Sequence, residues 1–294
     1  MYSTLSNYVS FDRYYKEHYK VNKKERAYFL THYELGDNIN SNGSIHFLLQ
    51  FYNTIYILAK DSIVNNLKIL YEGYKVEIVP MSDLVYDNNT IEYIKDVLST
   101  IAKEHDLFIT GYHNYRYGNI PSRITHIDVL NYVQDDKHYG EANNGYNFIK
   151  DFYHHIGQDL SIQFEYFKFN SSKASIDYYN KVSSYKIVFI HSKSRTTPDL
   201  NTDLIHELYV NQRDHIMICA NKNMYPIEHI HYKLSNTFVN IPVFDYIDII
   251  KNAEHLYYVD SCFACIIVPL IVSKTIRPKT NKLFHRENII MDIN

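Results

Sequence analysis

Glycine and proline are scarce in this chain, eight and seven among 294 residues, and tryptophan is absent. So few flexible or breaking residues exclude long linkers and low-complexity disorder. Three cysteines, an odd number, exclude a disulfide framework and fit a reducing compartment. No block of Lys and Arg exceeds the small cluster at 20–26, and the net charge is −3. A nucleic-acid-binding surface, which needs phosphate neutralisation, is therefore not expected. The N-terminus has no apolar signal-peptide core. The longest apolar run, 262–272, is too short to span a bilayer. The expectation is a soluble protein of the cytoplasm. GxGxxG, the P-loop, Gly-x-Ser-x-Gly and a strand-end Asp-x-Asp are all missing, which removes their chemistries. Sixteen histidines offer no ligand spacing: His154-His155 and His229-x-His231 lack partners, and His206-Glu207 has no His four residues on. No metal and no cofactor are expected.

What is present is apolar residue in quantity, 46% hydrophobic against 21% charged, enough for sizeable cores. Thirty tyrosines stand out. They suit stacking on sugar rings, and they are also what an AT-rich genome produces. The hydrophobic pattern alternates between strand and helix. In the first half, strands are expected at 27–32, 54–59, 76–80 and 107–112, with a loop at 34–42 and helices at 43–51, 63–71 and 90–104. Residues 113–145 are polar and read as loop with a short helix near 124–132. A helix at 146–156, an extended piece at 162–168 and a connecting helix at 172–182 follow. The alternation restarts with strands at 186–191, 215–220 and 256–259, helices at 199–210, 244–253 and 262–271, and a short extended stretch at 237–240. Such alternation predicts parallel sheets with helices on both faces. The fold class is α/β, as two Rossmann-like domains, 1–170 and 171–294, facing across a cleft. In such sheets ligands bind outside the carboxyl ends of the strands.

Four strand ends carry candidate chemistry. Leu35-Gly36-Asp37 through Asn42-Gly43 follows the first strand. There Gly36 and Gly43 let backbone pass close to a ligand, and Asp37 is a candidate general base toward a hydroxyl; the alternative is a turn or helix-cap aspartate. The strand Ile187 to His191 runs straight into Ser192-Lys193-Ser194-Arg195, two hydroxyls and two cations suited to a diphosphate; the alternative is a solvated turn. Asn221 ends the next strand and is a candidate contact to a base or ribose. Asp260-Ser261 joins the last strand to the helix at 262–271, whose start is a ready anion site; the alternative is an ordinary Ser-capped helix. Cys262-Phe263-Ala264-Cys265 is formally C-x-x-C, with a redox pair and two packed small residues as its two readings.

Three ordered segments together resemble a known family. They are Leu35-Gly36-Asp37 through Asn42-Gly43 with Val76-Glu77-Ile78-Val79; Asn147 through Gly157 with Tyr185 through His191; and Asp245-Tyr246 through Asp260-Ser261. Over about 27–275 the chain is similar to GT-B-fold glycosyltransferases of the heptosyltransferase-like type, as found in bacterial polysaccharide clusters and large DNA viruses. The resemblance implies inverting, metal-independent sugar transfer from a nucleotide-diphosphate donor, UDP- or GDP-linked, to a glycan or other hydroxyl. It makes Asp37 the base; Glu141 and Asp151, near the polar stretch between the halves, are the next candidates. It puts Lys193 or Arg195 on the donor phosphates, and Asp260 and Ser261 on the donor sugar or diphosphate. Gly36, Asn42, Gly43, Ser192, Asn221, Asp245 and Tyr246 complete the implied donor set. Cys262 to Cys265 replaces the small polar and His residues usual in heptosyltransferases, which argues against a heptose donor. A sugar-nucleotide epimerase or hydrolase of the same fold, or an inactive sugar- or nucleotide-binding module, are the competing readings.

Overall fold

Short β-branched and aromatic runs, the central ones buried on both faces, make two sheets in the computed structural model. It describes residues 23–31, 34–81, 88–110, 149, 152–153, 156–195, 197–284 and 290–292. The expected polar loop at 113–145, with Glu141 and Asp151, lies outside the described residues. The chain divides into two units, Met1–Lys168 and Phe169–Asn294.

The first unit holds β1 (Lys24–Leu30), β2 (Tyr52–Lys60), β3 (Val76–Met81) and β4 (Asp106–Ile109), all parallel, in the order β3-β2-β1-β4. Helices α1 (Leu35–Asn40) and α2 (Asn42–Leu48) follow β1. Helix α3 (Val64–Leu70) lies between β2 and β3, and α4 (Asn88–Glu104) between β3 and β4. On α4, Ile94, Leu98 and Ala102 recur at helical spacing and pack on Leu30, Leu58, Leu107 and Ile109. At the amino edge, buried Asp106 accepts from Lys24 Nζ at 2.5 Å and from the Tyr52 hydroxyl at 2.8 Å, tying β1, β2 and β4.

Two local expectations fail here. The stretch 34–42 is helix through Leu35–Asn40, not loop. Its asparagines and Ser41 are polar enough to read as turn, yet Asn38, Asn40, Ser41 and Asn42 are buried and bonded. Asn40 O accepts from the Tyr153 hydroxyl at 2.6 Å, and Asn42 Oδ1 accepts from Lys168 N at 2.9 Å. The stretch expected to be extended at 162–168 begins as helix α5 (Ser161–Glu165). It presses on α2, whose Ser44 donates to Gln158 at 2.6 Å.

The second unit holds α6 (Lys173–Asn180), β5 (Lys186–His191), α7 (Asp203–Tyr209), β6 (His215–Cys219), α8 (Tyr232–Asn236), α9 (Ile247–Lys251), β7 (Ala253–Val259), α10 (Cys262–Val272), β8 (Thr280–Phe284) and β9 (Ile290–Asp292). The strand order is β6-β5-β7-β8-β9, parallel except for the antiparallel β9. Strands β8 and β9 were not expected from sequence, and residues 237–240 are a turn after α8, not extended. Among the described residues no helix is long and apolar enough to cross a membrane.

Gly43 is a packing glycine. A Cβ there would lie 2.6 Å from Ile162 O and 2.7 Å from Gln163 Cα, so α2 and α5 touch only because the side chain is missing. The neighbour is backbone and cannot rotate away. Gly43→Ala should therefore destabilise the protein by about 1–3 kcal/mol. Urea unfolding of the variant checks this; an unchanged midpoint would contradict the close approach.

Candidate functional site

In the second sheet the winding reverses at β5. From β5 the chain crosses to β6 on one side, then returns to β7 on the other. Right-handed crossovers then leave β5 and β7 on opposite faces, and a crevice opens between their carboxyl ends. Both expected polar segments, 192–195 and 260–261, stand there, far apart in sequence and on neighbouring strands.

Three polar contacts tie these exits together. Asn221, just beyond β6, turns its side-chain carbonyl onto the β5 exit and accepts from Ser192 N at 2.8 Å and Lys193 N at 3.0 Å. The Thr197 hydroxyl donates to Asp260 O at 3.2 Å. Ser261 Oγ lies 3.1 Å from His191 Nδ1, is 3.1 Å from Val259 O, and accepts from Phe263 N at 3.2 Å as the cap of α10. All three contacts are satisfied when Nδ1–H donates to Ser261 and Ser261 donates to Val259 O.

His191 is 6% exposed and lies against the Phe263 ring at 4.5 Å. Burial pushes its pKa down to about 4, so it is neutral at physiological pH. Lys193 and Arg195 are exposed, the former 3.8 Å from Asp199. An ion pair so exposed contributes little, and Lys193 can exchange it for an anionic ligand. Asp260 and Ser261 are half-buried at the start of α10. Burial raises Cys262 to about 11, so its thiol stays protonated, which counts against the redox reading of the C-x-x-C.

Other expected contacts look inward. Tyr246 is 1% exposed and its hydroxyl donates to Phe238 O. Tyr246 is a core residue that pins the turn after α8, with no surface to offer a ligand. Asn42 and Gly43 are fully enclosed by the packing described above. Asn221 spends its carbonyl on the backbone of 192–193, so it positions the β5 exit. Ser192 is buried. Asp245 is also buried, in a 3-10 turn preceding α9, and burial raises its pKa. His191 and Thr197 were missed. A histidine closing an apolar strand was the available signal for the first; nothing local marks the second.

In the N-terminal unit the reversal lies between β1 and β4. Asp37 stands in the first turn of α1, just after β1, half-buried. Gly36 precedes it in the same turn. The helix start favours a carboxylate there.

No protein-family model matches the chain, and no curated protein matches it. Among solved structures it is similar to the glycosyl transferase family 9 of Veillonella parvula DSM 2008, known as a crystal structure. The TM-score is 0.51 at 12% sequence identity, over 86% of this chain and 79% of that one. The likeness is one of fold.

Two outcomes follow from the contacts at the exits. The His191 pKa lies below its unfolded value of about 6.5, so the unfolded state binds more protons between pH 6.5 and 4. Stability is full above that window and falls as pH drops through it, by about 2 kcal/mol between pH 7 and 5 for this residue. His191→Asn should flatten part of the slope of unfolding free energy against pH; an unaltered slope would contradict a buried neutral imidazole. Asn221→Ala should cost about 1–3 kcal/mol by leaving two amides without an acceptor. Hydrogen exchange at Ser192 and Lys193 should speed up in that variant while β8 is unaffected.

Proposed function

We propose that this chain is a glycosyltransferase that moves a sugar from a nucleotide-diphosphate donor to a hydroxyl acceptor. The observation that carries the reading is that β5 and β7 are neighbours, so the exit bearing Lys193 and Arg195 stands beside the one bearing Asp260 and Ser261, at the start of α10. Two cations and a helix start at the carboxyl ends of parallel strands are suited to a diphosphate. The fold likeness to a family 9 glycosyl transferase supports the same reading.

In this proposal the second unit holds the donor and the first unit serves the acceptor. Lys193 and Arg195 neutralise the charge that develops on the departing diphosphate, so transfer needs no divalent ion. Asp37 takes the proton from the acceptor hydroxyl as the new bond forms, and the transfer inverts the sugar carbon. UDP- and GDP-sugars are the first donors to test, alongside ADP- and CMP-sugars, by thermal shift. Product analysis with and without acceptor, with no added Mg²⁺ or Mn²⁺, then separates transfer from epimerisation or hydrolysis.

Lys193→Ala with Arg195→Ala should weaken donor binding at least tenfold, about 1.4 kcal/mol. Equal affinity of wild type and double variant in calorimetry would reject this donor placement. Asp37→Asn keeps the shape and removes the basicity. Its kcat should fall by about 10²–10⁴ with donor affinity intact; near-normal turnover would place the base elsewhere.

A further inference from the structure

The opposite, amino-terminal edge of the second sheet gathers a different set of side chains. His215 opens β6, Lys186 opens β5, and Glu254 and His255 stand second and third in β7. Adjacent residues of a regular strand point to opposite faces. Here the register slips: Ile187 pairs with Ala253 but Val188 with His255, leaving Glu254 as the extra residue. A bulge of this kind re-aims side chains, and it lets Glu254 and His255 turn toward the same point as His215. One ligand atom from each of the three lies within 4.8 Å of the others. His215 Nε2 is 3.5 Å and His255 Nε2 is 3.7 Å from Glu254 Oε2.

The other ring nitrogens are already held. His215 Nδ1 is 2.9 Å from Asp214 Oδ1, and His255 Nδ1 is 3.0 Å from Thr280 Oγ1. A carboxylate only accepts, so His215 carries a proton on Nδ1, and Nε2 is the nitrogen that faces Glu254. Glu254 Oε2 is itself buried and without a hydrogen-bond partner, while Oε1 is engaged by Lys279 Nζ at 2.5 Å. With Nε2 unprotonated, the imidazole and the buried Glu254 Oε2 present two acceptors to one point, a place that a cation fills as well as a second proton would. The carboxylate–histidine pairing of Asp214 and His215 is the outer-shell arrangement that orients an imidazole toward a metal. Tyr209 lies beside both imidazoles, with ring centroids 5.5 and 5.2 Å away, and forms an apolar wall.

We propose that His215, Glu254 and His255 bind one divalent first-row transition-metal ion, Zn²⁺ being the best fit. Tetrahedral ligands about 2.0–2.2 Å from an ion lie about 3.3–3.6 Å apart, close to the 3.5 and 3.7 Å that separate Glu254 Oε2 from the two imidazoles. Two imidazoles and one monodentate carboxylate leave the fourth position to water. Mg²⁺ and Ca²⁺ prefer more oxygen ligands than this site provides. The ion would join β6 to β7 across the start of β5. Ser261 lies six positions after His255, about 20 Å along the extended chain, so the ion takes no part at the β5/β7 exits. The inference does not rest on the proposed function.

The test uses the full chain, stripped with chelator, desalted, and titrated with Zn²⁺ and separately with Co²⁺. Wild type should retain one Zn²⁺ per chain after desalting and gain about 5 °C or more in melting temperature at saturation. Bound Co²⁺ should give the visible absorption of a tetrahedral site. His255→Ala and Glu254→Gln, at part-exposed positions that spare the core, should lose the stoichiometric ion, the thermal gain and the Co²⁺ spectrum. His206→Ala, elsewhere in the same unit, should keep all three. Retention of the ion by His255→Ala and Glu254→Gln, or no binding by wild type, would overturn the assignment and leave the cluster sharing a proton.

Discussion

The second unit is organised around β5, a strand with no free edge. β5 is hydrogen-bonded on one side to β6 and on the other to β7, and Ile187 to Ser192 are buried. With both ladders satisfied, its side chains can be apolar on both faces, and helices must cover those faces. The chain can become polar only where it leaves the sheet. Ser192 to Arg195 therefore stand at the carboxyl end, beside the equally polar exit of β7. The order β6-β5-β7 then opens the crevice at that point. Asn221, Thr197 and Ser261 hold the three exits in register with contacts of about hydrogen-bond length.

The N-terminal unit obeys the same rule with a different filling. Its central strand β1 is paired on both sides, but the segment that follows it folds as two short helices packed with buried polar groups. Such a segment is stable only when each group finds a partner. Tyr153, Gln158 and Lys168 supply partners from more than a hundred residues away in sequence. Gly43 admits the backbone of α5 close enough for those bonds to form. Polar networks of this kind specify one arrangement more sharply than an apolar contact would.

The two ends of the C-terminal sheet differ in chemistry because strands have direction. Carboxyl ends meet helix starts and exposed cations, a setting for anions. The amino edge presents imidazoles and carboxylates, with Lys186 paired to Asp214 at 2.6 Å and Lys279 to Glu254. Each carboxylate there already has its ammonium, so the arrangement is locally near neutral. What lacks a hydrogen-bond partner is Glu254 Oε2, buried between the imidazoles of His215 and His255.

The sequence alone determined the α/β alternation, the parallel character of the strands and the polar strand exits. Those depend on local periodicity and on the short-range contrast between apolar run and polar turn. Strand β5 and its exit at 192–195, α4 with its stripe of Ile94, Leu98 and Ala102, and Ser261 as the cap of α10 were all legible in that way. Tertiary structure decided the rest. Asn38, Asn40 and Asn42 look like turn residues until their distant partners are known, so a helix was hidden in an apparent loop. Gly43 and Asn221 look free for a ligand until α5 and the β5 exit occupy them. Strands β8 and β9 depend on pairing with β7 and with each other. The histidines fared the same way: His215 and His255 are forty residues apart, and only β-sheet register and a bulge at Glu254 bring their nitrogens to one point. Side-chain convergence across strands is a property of register, which no local pattern encodes.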